Sequence, residues 1–249
     1  MNTNKPVLAD FFDKIYVINL ASRQDRRDEM QVELKKIGLS LTHPSVQLFT
    51  AVRPTEQGDW PSIGARGCFM SHLQVLQDAE HHGYENILIL EDDIDFVKEF
   101  NLRFIEVNQI LNRLNWDIFY GGYELFNQEI RSNNDSLLKT IDSTTSVGTT
   151  HFIAFNKTTL VLVREYLDVM ISRKGGDPNG GPMHVDGAYS WFRTVYPQII
   201  TVIATPQLGY QRSSRTDIHD LGWKDQLPVV RRIMMILRKV KNFLLTNKK

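Results

Sequence analysis

Apolar residues recur along this chain in two rhythms, short unbroken runs and helical spacing, and the two rhythms alternate. Residues 14–20 form a β-branched and aromatic run of strand length, continuous enough to be buried on both faces. Ser22 then offers an N-cap to a helix in which Met30, Leu34 and Ile37 fall near one face, with a stop at Gly38. A second strand is read at 46–49, and a turn-rich loop at 54–67 leads into a helix that ends at Gly83. Residues 86–90 give the strongest strand, which runs directly into Glu91, Asp92 and Asp93. Helical spacing follows over 100–114, then a strand at 116–120 closed by Gly121 and Gly122. Residues 127–150, rich in Asn, Ser and Thr, read as an irregular excursion. Beyond it come a strand at 151–155, a helix at 158–171, a Gly/Pro loop at 173–182, a helix at 184–195 and a strand at 199–204. Strands alternating with helices predict one α/β domain over 1–227, a mostly parallel sheet flanked by helices.

The last stretch differs in kind. Val230, Ile233, Met234, Leu237, Val240 and Leu244 keep helical spacing, with basic residues largely elsewhere on the wheel, so 228–249 reads as a basic amphipathic helix. Seven of the 29 basic residues lie there and none of the 29 acidic ones, which leaves the body with a net charge of −7. Such a body is a poor general nucleic-acid binder, while the tail suits either an anionic membrane surface or a groove on its own domain. The opening residues do not read as a secretory signal, and no apolar stretch approaches the roughly 20 residues of a membrane span. Cys68 is the only cysteine, which excludes an internal disulfide and a multi-thiolate zinc cluster and fits a reducing, cytoplasmic setting. It reads as a small apolar residue rather than a nucleophile.

Four places carry candidate chemistry. Glu91, Asp92 and Asp93 crowd negative charge at a strand's carboxyl end, where α/β sheets collect ligands; either a divalent cation resolves the repulsion or the acids cap a loop. Strand alternation would put Glu91 and Asp93 on one face and turn Asp92 away. Asn19, Arg23, Arg26 and Arg27 gather at the end of the first strand, basic where a helix start disfavours them, which suits an anionic partner or a solvated turn. Gly64 and Gly67 precede Ser71 and His72 at what reads as a helix start, a natural anion site. Asp186 follows the Gly/Pro loop, which has the look of a lid, and is either a general base or an N-cap.

Five segments, IYVINLASRQDRR, GARGCFMSH, LILEDDIDF, PMHVDGAYSWF and QRSSRTDI, occur in one order over about residues 14–218, and together they resemble glycosyltransferase family 25. That resemblance implies a glycosyltransferase-A-like fold and transfer of a hexose, with galactose the first choice, from a UDP-sugar to a saccharide acceptor that can be lipid-linked. By position, Asn19, Arg23, Arg26, Ser71, His72 and Asp92 would serve the donor. Asp93 and Glu91 would hold a manganese or magnesium ion, and Asp186 would be the base of an inverting reaction. His219 is added as a candidate third metal ligand. The chain departs from the family pattern at Ala65-Arg66, where Glu and an apolar residue are expected. A metal-dependent nucleotidyltransferase or phosphohydrolase is the alternative, since either can use acids placed after a strand.

Overall fold

The computed structural model describes residues 6–126 and 136–212. The expected helix over 228–249 and His219 lie outside the described residues. In chain order the elements are α1 (Val7–Phe11), β1 (Lys14–Asn19), α2 (Gln24–Lys36), β2 (Val46–Thr50), α3 (Ile63–His82), β3 (Asn86–Glu91), β4 (Ile94–Phe96) and α4 (Phe100–Leu111). They continue with β5 (Ile118–Leu125), β6 (Leu138–Ile141), β7 (Val147–Asn156), α5 (Lys157–Ile171), α6 (Val185–Val195), β8 (Thr201–Ala204) and β9 (Gly209–Gln211).

Seven strands form one sheet in the order β2-β1-β3-β7-β5-β8-β6, while β4 and β9 pair as a separate ribbon. Five of the seven run in one direction, and β7 and β6 oppose them. The expected mostly parallel sheet is present, with antiparallel additions. Its central strands are apolar on both faces because helices cover both. Ile15, Val17, Leu88, Leu90, Phe152 and Ala154 join the core under α1, α2 and α4. Tyr16, Ile18, Ile87, Ile89, Ile153 and Phe155 join the core under α3, α5 and α6. The period-2 alternation of each strand thus feeds two separate cores, and burial of these side chains is the main stabilising term.

Several local expectations are corrected. Ser22 does not cap α2; Arg23 holds that position, without a side-chain cap bond. Helix α3 begins five residues before Cys68, because Ser62 supplies a true N-cap whose hydroxyl accepts from the Ala65 amide at 3.0 Å. Gly64 and Gly67 therefore sit inside the helix, and Ser71 and His72 lie two turns in, away from any free amides. Gly67 is needed for close approach: a Cβ there would meet the Val52 carbonyl oxygen at 2.7 Å. Strand β5 continues through Gly121 and Gly122 instead of closing at them, with register shifts on both sides of Gly122. A side chain at Gly122 would collide with the His151 ring. Part of 127–150 is regular, since it contains β6 and the start of β7, while α4 ends at Leu111 instead of Leu114.

Candidate active site

Strands β1 and β3 are parallel neighbours, with Ile18 paired to Glu91, so Asn19 and Asp92 emerge side by side at the carboxyl edge of the sheet. There they meet the start of α2, the segment after β2 and one side of α3 around a cleft of about 520 Å³. Asn19, Arg23, Arg26, Ser71, His72, Glu91, Asp92 and Asp93 all line it. Residues from four segments that are far apart in sequence are thus gathered by the ends of two strands.

The three acids do not alternate as a continuing strand would. Strand β3 stops at Glu91, and Asp92-Asp93 make the turn into β4, so all three carboxylates border one cleft with different partners. Asp92 accepts from Asn19 Nδ2 at 2.5 Å and from Arg26 Nη1 at 2.7 Å. Burial pushes its carboxyl up, with Arg26 and Asn19 opposing. Glu91 Oε1 accepts from the Thr150 hydroxyl at 2.5 Å and lies 3.4 Å from His72 Nε2. Burial alone would raise Glu91, but the His72 ring and the Thr150 hydroxyl outweigh it and hold the carboxyl below its ordinary value. Asp93 is the least settled of the three. Its Oδ2 is 3.5 Å from Arg26 Nη1 and 3.4 Å from Gln211 Nε2, and its buried Oδ1 has no hydrogen-bond partner. Burial first, and the Glu91 charge second, push it up to about 7 against the pull of Arg26.

The basic residues of α2 have partners within the protein. Arg26 pairs with Asp92, and Arg27 donates to Asn19 Oδ1 at 2.9 Å and to the Ala21 carbonyl at 2.9 Å. Arg23 forms a 2.8 Å ion pair with the exposed Asp25 and still borders the cleft. Part of the charge that looked unfavourable at a helix start is thus answered by Asp92 and by carbonyls.

Ser71 and His72 are both fully buried. The Ser71 hydroxyl donates to the Gly67 carbonyl at 2.6 Å and accepts from the Val52 amide at 2.8 Å, which fastens α3 to the segment after β2. His72 Nδ1 lies 3.0 Å from the Tyr189 hydroxyl, while the 3.4 Å approach of Nε2 to Glu91 is too long for a good hydrogen bond and leaves Nε2 without one.

Asp186 is in the first turn of α6, where His184 holds the N-cap position, so it is not the cap. It accepts from the Thr149 amide at 3.2 Å and the Gly187 amide at 2.8 Å. It is not part of the cleft lining, yet it is near enough that its charge, after burial and Glu91, helps push the Cys68 thiol up. The 173–182 loop ahead of it is tied down: Arg173 donates to the carbonyls of Asn179 and Gly180, and the Gly175 amide to Asp59.

Other residues in and around the cleft escaped the sequence reading. Arg53 borders the cleft three residues beyond β2, so the carboxyl-end rule could have found it. Thr150, Tyr189 and Gln211 are not in the lining but touch Glu91, His72 and Asp93 from β7, α6 and β9; Tyr189 and Gln211 fall inside quoted segments, yet nothing local marked them as partners of these groups. Cys68 also lines the cleft, and Cys68, His72 and Glu91 are the one trio among the described residues whose ligand atoms lie within 4.8 Å of one another. The Glu91-Asp93 set does not converge to that degree.

The sequence model of glycosyltransferase family 25 (LPS biosynthesis protein) matches residues 12–151, which include every cleft-lining residue named above. "Inactive glycosyltransferase 25 family member 3" of Mus musculus is 27% identical over 136 residues, 47% of this chain and 23% of that protein. "Procollagen galactosyltransferase 2" of Mus musculus is 27% identical over 129 residues, 45% of this chain and 21% of the relative. The "Glycosyltransferase 25 family member" of Drosophila melanogaster is 30% identical over 134 residues, 47% and 22%. The chain thus spans less than a quarter of the length of these relatives. Among solved structures, a glycosyltransferase involved in glycosylation of the major capsid of PBCV-1 superposes with a TM-score of 0.46 at 13% identity, covering 82% of this chain and 93% of that one. With the family model matched over more than half its length and the cleft inside the matched span, this chain belongs to glycosyltransferase family 25.

Proposed function

We propose that this protein moves a hexose, galactose first and glucose second, from a UDP-sugar to a saccharide acceptor in lipooligosaccharide or another surface glycan. In this reading the transfer inverts the anomeric centre and needs a divalent cation, manganese or magnesium. One observation carries it: a single cleft holds Arg23 and Arg26 beside Glu91, Asp92 and a buried Asp93 oxygen with no partner. A surface with both signs of charge suits a diphosphate bound jointly by guanidinium groups and through a cation.

The acids fit a cation on this structure's own terms. Asp93 Oδ1 lacks any donor, and Glu91 opposes the ionisation of Asp93 next to it, so Asp93 and Glu91 would hold the ion. When bound, it supplies charge neutralisation for a diphosphate leaving group. The chain's residues do the rest. Asn19 and Arg26 position Asp92 and the adjoining wall, and Arg23 reaches toward the diphosphate. Asp186, oriented by two amides, takes the proton of the attacking acceptor hydroxyl. The relative named a procollagen galactosyltransferase favours galactose, while the relatives named inactive make turnover the point to test.

A panel of nucleotide sugars, read by thermal stabilisation with and without manganese and then by mass of the products, is the test. UDP-galactose with manganese should stabilise most and yield free UDP plus a glycosylated acceptor. Stabilisation by no nucleotide sugar would end this reading, and nucleotide transfer or phosphate release would replace it with a nucleotidyltransferase or phosphohydrolase. Residues 228–249 are proposed to contact an anionic membrane near a lipid-linked acceptor; among the described residues no helix is long and apolar enough to cross one. Liposome flotation should be lost on their removal, and undiminished flotation refutes the tail's role.

A further inference from the structure

We propose that Cys68, His72 and Glu91 form a binding site for one borderline-soft divalent cation, zinc above all, with an open coordination position toward the cleft. Cys68 and His72 are four residues apart on α3, so their side chains share one helix face. Glu91 closes the group from the end of β3, and one ligand atom from each residue lies within 4.8 Å of the other two. His72 Nε2 and Glu91 Oε1 are 3.4 Å apart. Two ligands at zinc distances of about 2.0–2.2 Å with a tetrahedral angle stand roughly that far from each other. The imidazole and the carboxylate already have the spacing; the sulfur needs a shift of at most about 1 Å, within reach of a side-chain adjustment.

The independent sign of a ligand is the histidine. Its side chain is fully buried, and Nε2 has no hydrogen-bond partner although it is aimed at Glu91. Nδ1 lies 3.0 Å from the Tyr189 hydroxyl. When a metal binds, a proton on Nε2 leaves to solvent, and with the other proton on Nδ1 donated to that oxygen Nε2 presents its lone pair to the gap, the arrangement that metal-bound histidines use. The Thr150 hydroxyl fixes the Glu91 carboxylate in the same way. Asp92 and Asp93 add negative charge nearby, which a divalent cation offsets.

The donor set decides the metal. A thiolate and an imidazole prefer zinc over manganese or magnesium, whereas the oxygens of Asp93 and Glu91 invoked for the sugar donor suit the harder ions. On binding, the thiol proton leaves to solvent and the sulfur takes the metal as thiolate. Zinc held here withdraws Glu91 from a cation at Asp93. The site shares that residue with the proposed transferase centre, but its existence does not depend on the transferase reading.

Cobalt(II) titration of the full chain tests it directly. Cys68 is the only cysteine, so a thiolate-to-cobalt charge-transfer band can come from no other side chain. The parent should show that band with tetrahedral visible bands at one cobalt per chain, and zinc should displace them. Cys68→Ser should lose the band and bind zinc about 100-fold more weakly or worse, and Tyr189→Phe should keep the band with affinity lowered roughly 10-fold. Absence of the band in the parent at saturating cobalt, or equal zinc affinity in Cys68→Ser, overturns the site; the first of these needs no variant to fold. A chain that binds zinc through Cys68 yet binds no nucleotide sugar keeps this site and loses the transferase reading.

Discussion

Arg193 and the acidic group after β3 both bury ionisable side chains, and the two places are finished differently. Arg193, on α6, is fully buried, and its guanidinium donates to the Thr201 hydroxyl at 2.8 Å, the Thr145 carbonyl at 2.8 Å and the Asp142 carbonyl at 2.6 Å. In the cleft, Asp93 Oδ1 and His72 Nε2 are equally enclosed and have no hydrogen-bond partner. Buried polar atoms in folded proteins are almost always paired, and an unpaired one costs about 1–3 kcal/mol. The hydroxyls of Tyr120, Thr145 and Tyr166 also lack partners, but they are scattered neutral groups. Among the described residues, only the cleft gathers unpaired atoms of acid and imidazole around an opening. Arg193 is a structural strut with a partner at each of its three nitrogens, whereas the cleft is a surface whose missing bonds are left for a ligand.

The largest effect is expected at Asp93. Asp93→Ala should remove metal-dependent transfer to background, a loss on the order of 10³-fold, because the developing charge on the leaving diphosphate loses its counter-ion site. The same change should leave the thermal midpoint unchanged or higher, since a buried carboxylate crowded by Glu91 is a cost to the unliganded fold. Initial-rate assays beside a melting curve check both halves. A variant that keeps full activity, or one that unfolds, would place Asp93 with Arg193 among the structural groups.

Asp186 comes next. Asp186→Asn keeps the shape and one acceptor oxygen, enough for one of the Thr149 and Gly187 amides, which bind different carboxylate oxygens, and it cannot take a proton. Turnover should fall by roughly 10²–10³-fold, while donor affinity measured by calorimetry moves by less than about 3-fold. An equal loss in both would make it a positioning group for the cleft instead of the base.

How far this division could be read in advance depends on the range of the interactions. Strands β1 and β3 and the second half of β7 announced themselves as apolar runs because both their faces are covered, and the acids after Leu90 were conspicuous for ending such a run. The start of α3 was misplaced because Gly64 and Gly67 look like breakers, while Gly67 answers to a carbonyl 15 residues earlier, at Val52. Strands β4 and β9 have three residues each, and Ile94 pairs with Gln211 far along the chain, so neither left a local pattern. The turn at Asp92-Asp93 is what defeats simple alternation of the three acids. That Arg193 would be so deeply enclosed was equally hidden, since its three acceptors come from the β6–β7 connection and β8.

Arg193→Met sharpens the contrast from its other side. The methionine fills most of the volume and removes the cost of burying a charge, but it leaves the Thr145 carbonyl and the Thr201 hydroxyl without their donor, while the Asp142 carbonyl keeps the Thr145 amide. Each abandoned acceptor costs about 1–3 kcal/mol, and the lifted desolvation returns part of that, so a net loss of about 3 kcal/mol is expected. In a chain of this size that lowers the melting midpoint by about 6–12 °C. Cation affinity of the folded variant should stay within about 2-fold of the parent, because none of Arg193's acceptors borders the cleft. Calorimetric melting and cation titration read the two quantities separately. Should Arg193→Met melt with the parent, a partner at every nitrogen would be worth nothing at this buried charge. The unpaired oxygen of Asp93 and nitrogen of His72 would then no longer argue for a ligand, since this fold would be shown to tolerate abandoned polar groups without a penalty.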